Sequence, residues 1–303
     1  MLLHWFKSLL MDELWVVIHP QSITFIRLTR PLKNGLKQHI VYKQVIDLPQ
    51  SLGIKYLLSK NNGDNDWQIL TKYLKPILNN IKWQGAIPTV IVSNQFARYA
   101  IIPWNNELAI EDERQAYMQH CFNLAYGEAA KTWDLRMSEP TFGQSAVASA
   151  ISSGLLQVLH DVFAEADMKL AAVYPELMLA INQTVSQIKK HHLIQSENKV
   201  ITFWLVAIQS GRVCLMLFDS AGWRLIKNVA IEANVSEQVT ALIKREGVNC
   251  NVNDEPHVLL YWPESRKNKS LKLANHKIIN IRHHQFDMQN DQASSNLPNG
   301  VLV

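Results

Sequence analysis

The chain has 303 residues, a net charge of +4 and 48% hydrophobic residues, enough for two domains or one large duplicated fold. Charged residues make up 18%, below the roughly 25% of an average globular protein, and Lys and Arg form no single stripe, which argues against a nucleic-acid binder. The cysteines Cys121, Cys214 and Cys250 lie far apart and are odd in number, so a disulfide framework is disfavoured and a reducing compartment is expected.

No apolar run reaches the roughly 18 residues of a membrane-spanning helix. The opening "MLLHWFKSLLM" lacks the basic start and small-residue cleavage site of a signal peptide. It reads as a short amphipathic segment over 1–12, with Leu2, Leu3, Phe6, Leu9 and Leu10 near one face and Trp5 beside it. Such a segment can touch a membrane surface or a partner, or pack on its own domain.

"LWVVIHPQSITFIRLTR", residues 14–30, reads as a hairpin rich in β-branched and aromatic residues, turning at His19-Pro20-Gln21-Ser22. A third strand is predicted over 38–49 and a loop over 51–66. Apolar residues at helical spacing predict a helix over 67–83, kinked or divided at Pro76. Two strands follow within 88–104. An acidic first turn and Gly127 bound a helix over 109–127. Two more strands are predicted at 134–138 and 144–151, then a helix over 152–168 capped by Ser152 or Ser153. A short strand at 170–174 leads into a helix opened by Pro175.

The grammar then repeats. Strands are predicted at 199–209, 212–219 and 222–231, a helix over 236–247 with a Ser cap and a stop at Gly247, and strands at 257–263 and 277–284. The tail over 288–303 is polar and carries Pro and Gly. Each half therefore runs strand, strand, strand, helix, strand. This gives a mixed α/β chain: a first half over 13–180 with an inserted subdomain at about 88–150, and a second half over 181–287.

This order resembles the actin-like (sugar kinase and Hsp70 type, ribonuclease H-like) fold, a duplication in which each half opens with a three-stranded antiparallel meander. More narrowly, "SITFIRLTR", "SNQFARYAIIPW", "IEDERQAYMQHCFNLAYG", "ADMKLAAVYPELMLAIN" and "FWLVAIQSGRVCLMLFDSAGWRLIKN" resemble segments of the cytoplasmic actin-like proteins of type IV pilus, MSHA-type pilus and type II secretion assembly, the PilM, MshI and GspL group. The resemblance covers about 15–285 and rests on no single diagnostic motif.

In active members of the fold the two meander turns cradle phosphates, which calls for glycine and exposed amides, with an Asp nearby to hold metal-bound water. Here the first turn has neither Gly nor Asp, and Pro20 removes an amide donor. The second, Gln209-Ser210-Gly211-Arg212, has one Gly and no carboxylate, and Gly211 reads first as a hairpin residue. Where such enzymes place a glycine pair against adenosine, this chain has Tyr261 and Trp262. The sequence also lacks the P-loop and the dinucleotide glycine motif.

The expectation is a pseudo-ATPase without catalytic residues, metal or cofactor. The resemblance implies a cytoplasmic scaffold, associated with the inner membrane, that binds a pilus or secretion assembly protein by its tail; a homodimer and a peripheral membrane contact are compatible with it. The alternative is an ATP-binding member of the same machinery, with Ser22, Ser210 and Gly211 around the phosphates. The adjacent pairs His191-His192 and His283-His284 cannot chelate a metal alone, because strand neighbours point to opposite faces. Trp5, Trp15 and Arg27 are the residues expected to face a partner, since Trp and Arg dominate hot spots, while Trp204 and Trp223 are expected inside.

Overall fold

The computed structural model describes residues 11–29, 39–49, 67–108, 110–139, 142–191, 202–209, 211–231, 234–252, 255–263, 271–273 and 276–281. Trp5, Ser210, the segment 1–10, the loop 51–66, His192, His283, His284 and the tail 288–303 lie outside them. The chain divides into two units, Met1–Leu179 and Ala180–Val303.

In the first unit, β1 (Glu13–Ile18), β2 (Ser22–Thr29) and β3 (His39–Asp47) form the expected antiparallel meander. β4 (Ile87–Val92) then pairs parallel with β1, and β8 (Ala172–Pro175) pairs parallel with β4, giving the order β3-β2-β1-β4-β8. Alternation along the strands sends Leu14, Val16, Ile18, Ile23, Phe25, Val90 and Val92 to one face. There they meet α1 (Ile69–Leu78), through Leu70, Leu74 and Leu78, and α3 (Ser153–Glu165), through Leu155, Leu159 and Phe163. Each such side chain, once enclosed, contributes roughly 1.5–3 kcal/mol.

The helix expected over 67–83 is shorter. Pro76 lies in the last turn of α1, which stops at Leu78, and a separate 3₁₀ turn, Ile81–Trp83, follows. The proline thus sits inside the last turn, where its missing amide leaves the Lys72 carbonyl without its helical donor, and the helix runs on only to Leu78. Trp83 is fully buried and packs on Phe25 at 5.8 Å between ring centroids.

A smaller antiparallel sheet has the order β5-β7-β6, from β5 (Ala97–Ile102), β6 (Trp133–Met137) and β7 (Ala146–Ser152). α2 (Glu111–Tyr126) covers it with Met118 and Phe122 against Ala100, Ile102, Ala148 and Ala150. β4, which falls within the stretch expected as an inserted subdomain at about 88–150, is held in the main sheet by parallel bonding to β1 and β8. Ser152 stands at the N-cap of α3 but its side chain makes no capping bond there.

The second unit repeats the plan of the main sheet. β9 (Phe203–Gln209), β10 (Arg212–Asp219) and β11 (Gly222–Ala230) make the meander; β12 (His257–Tyr261) and β13 (Ile278–Asn280) add in parallel, in the order β11-β10-β9-β12-β13. α4 (Glu176–His191) leads out of the first unit, and α5 (Val235–Asn249) closes the second core through Val239, Leu242 and Ile243.

Both ends of α5 differ from expectation. The cap is Asn234, whose side chain accepts the Glu237 amide at 3.5 Å, not a serine. Gly247 lies inside the helix, and the stop is Asn251 at φ +51°, with the Val252 amide donating to Gly247 O at 2.9 Å and the Asn251 amide to Val248 O at 3.1 Å. This is a Schellman ending built on Asn in place of Gly. α3 ends the same way on Asp167 at φ +57°.

Candidate functional site

The first meander turn is where a phosphate would sit in an active actin-like enzyme. Here its amides are largely spent on the hairpin. The His19 amide donates to Ser22 O at 2.9 Å and the Ser22 amide to His19 O at 3.4 Å. Pro20 has no amide, so Gln21 carries the one remaining N–H of the turn among the described residues. Neither Pro20 nor Gln21 has positive φ, which excludes the glycine-type turns that open the backbone toward an anion.

Beside this turn lie the C-terminal ends of the parallel strands β1, β4 and β8, the edge at which open α/β sheets bind ligands. His19, Ser93, Asn94 and Glu176 gather there. His19 Nε2 is 3.7 Å from Glu176 Oε1, with the two side chains 14% and 4% exposed. Burial pushes the His19 pKa down from 6.5 to about 4, so the imidazole is neutral at pH 7. Asn94 Oδ1 accepts the Leu177 amide at 2.9 Å and the Tyr99 hydroxyl at 2.6 Å. The positive end of α4 is thus occupied by the chain's own groups, Glu176 in its first turn and Asn94 on its amide. The cluster offers no positive charge to a phosphate.

In the second unit, Gly211 has φ +73° and a Cβ there would meet nothing within 4 Å. Its carbonyl accepts the Ile231 amide at 2.8 Å, so the glycine meets a hairpin requirement. Trp262 packs on the core cluster of this unit and Tyr261 is buried at the end of β12.

Of the residues expected to face a partner, Trp15 is half-buried and its indole N–H donates to Glu13 Oε2 at 3.0 Å. Arg27 makes three hydrogen bonds within the chain. Its Nε donates to Asp12 at 2.7 Å and its Nη1 to the carbonyls of Lys82 at 2.5 Å and Gln84 at 3.2 Å, with the side chain 18% exposed. It ties the start of β1 to the 3₁₀ turn after α1, because a guanidinium drawn under the sheet must satisfy its donors within the fold. Trp204 is buried as expected. Trp223 is half-buried, edge-on to Phe218 at 5.1 Å.

Sequence reasoning missed a groove of about 200 Å³ in the first unit. Asp134 and Arg136 of β6, Ser149 of β7 and His160 of α3 give it polar walls, and Leu156, Leu170 and Val173 an apolar floor. Arg136 Nε donates to Asp134 Oδ1 at 2.8 Å. β8 and β6 are both outer strands of their sheets among the described residues. The groove lies against the face of the small sheet that carries the register pairs Asp134–Ile151 and Arg136–Ser149, beside β8, an outer strand whose backbone groups can pair with an added chain. Its residues come from four successive elements between Asp134 and Pro175, and no local spacing signals which of their side chains face one another.

The fold is that of the actin-like proteins, two halves built on one strand order. Two solved structures match over nearly the whole chain. The PilM–PilN type IV pilus biogenesis complex aligns with a TM-score of 0.57 and 10% identity over 90% of this chain and 89% of that one. The cytoplasmic domain of EpsL, an inner membrane component of the type II secretion system of Vibrio cholerae, aligns with a TM-score of 0.52 and 9% identity over 92% of each chain. A Bacteroides thetaiotaomicron protein of actin-like ATPase fold and unknown function aligns at a TM-score of 0.48 and 10% identity. No family model and no curated sequence matches the chain. At such identities the likeness is one of fold. No helix among the described residues is long and apolar enough to cross a membrane.

Proposed function

We propose that this chain is a non-catalytic scaffold of a pilus or type II secretion assembly platform, working in the cytoplasm at the inner membrane and holding the tail of a membrane protein. The observation that carries the non-catalytic part is the first turn. Its amides are committed to the hairpin, His19 beside it is neutral, and the α4 N-terminus is filled by Asn94 and Glu176. A fold does not oblige a function, and a scaffold that has lost phosphate binding is free to fill that corner with its own side chains.

The groove along β8 supports the binding part. An extended tail can add as a strand to this edge, its apolar residues on Leu170 and Val173 and its polar ones near Asp134 and Arg136. Likeness of fold to PilM, solved in complex with PilN, and to EpsL supports the setting.

The test is a pull-down and titration with the cytoplasmic tail of a single-span inner-membrane assembly protein, run beside a thermal shift with Mg-ATP. Tail binding with no shift at millimolar ATP supports the proposal. A ligand at 100 times its dissociation constant stabilises by about 2.7 kcal/mol, so a clear shift, with turnover at an ordinary enzyme rate, overturns it. A shift without turnover favours the second reading, an ATP-binding member of the same machinery. The open space over Gly211 is the observation on its side.

A further inference from the structure

Trp104, just after β5, and Phe142, just before β7, meet with ring centroids 5.2 Å apart and planes at 62°. The pair joins two loops of the smaller sheet at one surface. Phe142 is 84% exposed, and Ile110, at the head of α2, is 57% exposed. A phenylalanine so open gains little from the fold, and an aromatic pair exposed through Phe142 marks a surface that is covered on association.

The two segments also carry charge of one sign. Glu107, Glu111, Asp112, Glu113 and Glu139 are all exposed, against a single arginine, Arg114, which Glu111 already holds at 2.6 Å. Arg114 keeps the Glu111 carboxyl below its usual range, so it stays ionised.

We propose that the Trp104–Phe142 pair with its acidic rim is a docking surface for a basic segment of a protein partner that inserts an apolar anchor between lysines or arginines. The charge selects this occupant. An anionic lipid surface would meet a rim of like charge. A second copy docking by the same patch would set two acidic rims face to face. A basic segment neutralises the rim while its anchor covers Phe142. The surface is separate from the groove and does not depend on a tail lying there.

The probe is a short labelled peptide of alternating lysine and leucine pairs, titrated by fluorescence anisotropy into the full chain, with a glutamate-for-lysine peptide and anionic phospholipid vesicles as the other arms. The lysine peptide is expected to bind, to weaken as salt rises, and to lose about tenfold in affinity with Phe142→Ala or Trp104→Ala, as an interface anchor does. The glutamate peptide and the vesicles are expected not to bind. Phe142 is exposed, so Phe142→Ala leaves the fold intact, which circular dichroism checks. Filling the groove with Ala172→Arg is expected to leave the peptide affinity unchanged, which separates this surface from the tail site. Failure of the lysine peptide to bind, equal binding to wild type and Phe142→Ala, or vesicle binding lost with Phe142→Ala would overturn the proposal.

Discussion

His19 Nε2 stands 3.7 Å from Glu176 Oε1 where β1 ends and α4 begins. Two titratable groups from opposite ends of the first unit share a buried corner, and the imidazole there is neutral because burial penalises its charge.

That corner makes stability depend on pH. The folded pKa of His19, about 4, lies below its unfolded value of 6.5. Above 6.5 both states are neutral at this site. As pH falls from 6.5 toward 4, the unfolded chain takes a proton that the folded chain refuses, so stability drops by up to about 3 kcal/mol. His19→Gln is expected to flatten the fall in Tm between pH 7 and pH 5; parallel Tm profiles would refute the assignment.

Arg27 is expected to matter to the fold. Arg27→Met removes three bonds and leaves Asp12 and two carbonyls unsatisfied, costing about 2–3 kcal/mol in urea unfolding. Asp12→Ala breaks one of these bonds and is expected to cost less. Equal and small effects would mean that water replaces the clamp.

Asn251 ends α5 at φ +51°. Asn251→Gly is expected to be neutral or to stabilise by up to about 1 kcal/mol, and Asn251→Ala to cost about 1 kcal/mol, because only the latter adds left-handed strain. Denaturant midpoints of the pair decide the sign.

Gly211→Ala, at φ +73° with open space around it, is expected to cost about 1 kcal/mol of stability through backbone strain alone. If the same change instead abolished a nucleotide-induced thermal shift, the hairpin role of Gly211 would be incomplete.

In the groove, Ala172→Arg places a long cation on the half-buried edge of β8. It is expected to abolish capture of a membrane-protein tail while leaving Tm within a few degrees. Undiminished capture would move the tail site elsewhere.

The sequence by itself determined the element order. Val16, Ile23 and Phe25, or Val206, Val213 and Leu217, stand at alternate strand positions on one face and can bury only as sheets, and the helical spacing of Leu155, Leu159 and Phe163 leaves one face to cover them. The absence of Gly and Asp at His19-Pro20-Gln21-Ser22 was equally legible, because turn chemistry is local. Tertiary structure alone decided where polar groups ended up. Arg27 carries no local sign of its bonds to Asp12 and to the carbonyls of Lys82 and Gln84. Glu176 met His19 only because parallel pairing of β1, β4 and β8 brought their ends together. The groove and the Trp104–Phe142 patch likewise join side chains of different elements and loops, which local spacing does not pair. Periodicity reports which face of an element is buried. It carries no information on which distant element supplies the hydrogen-bond partner, and that long-range pairing decided the character of each candidate site.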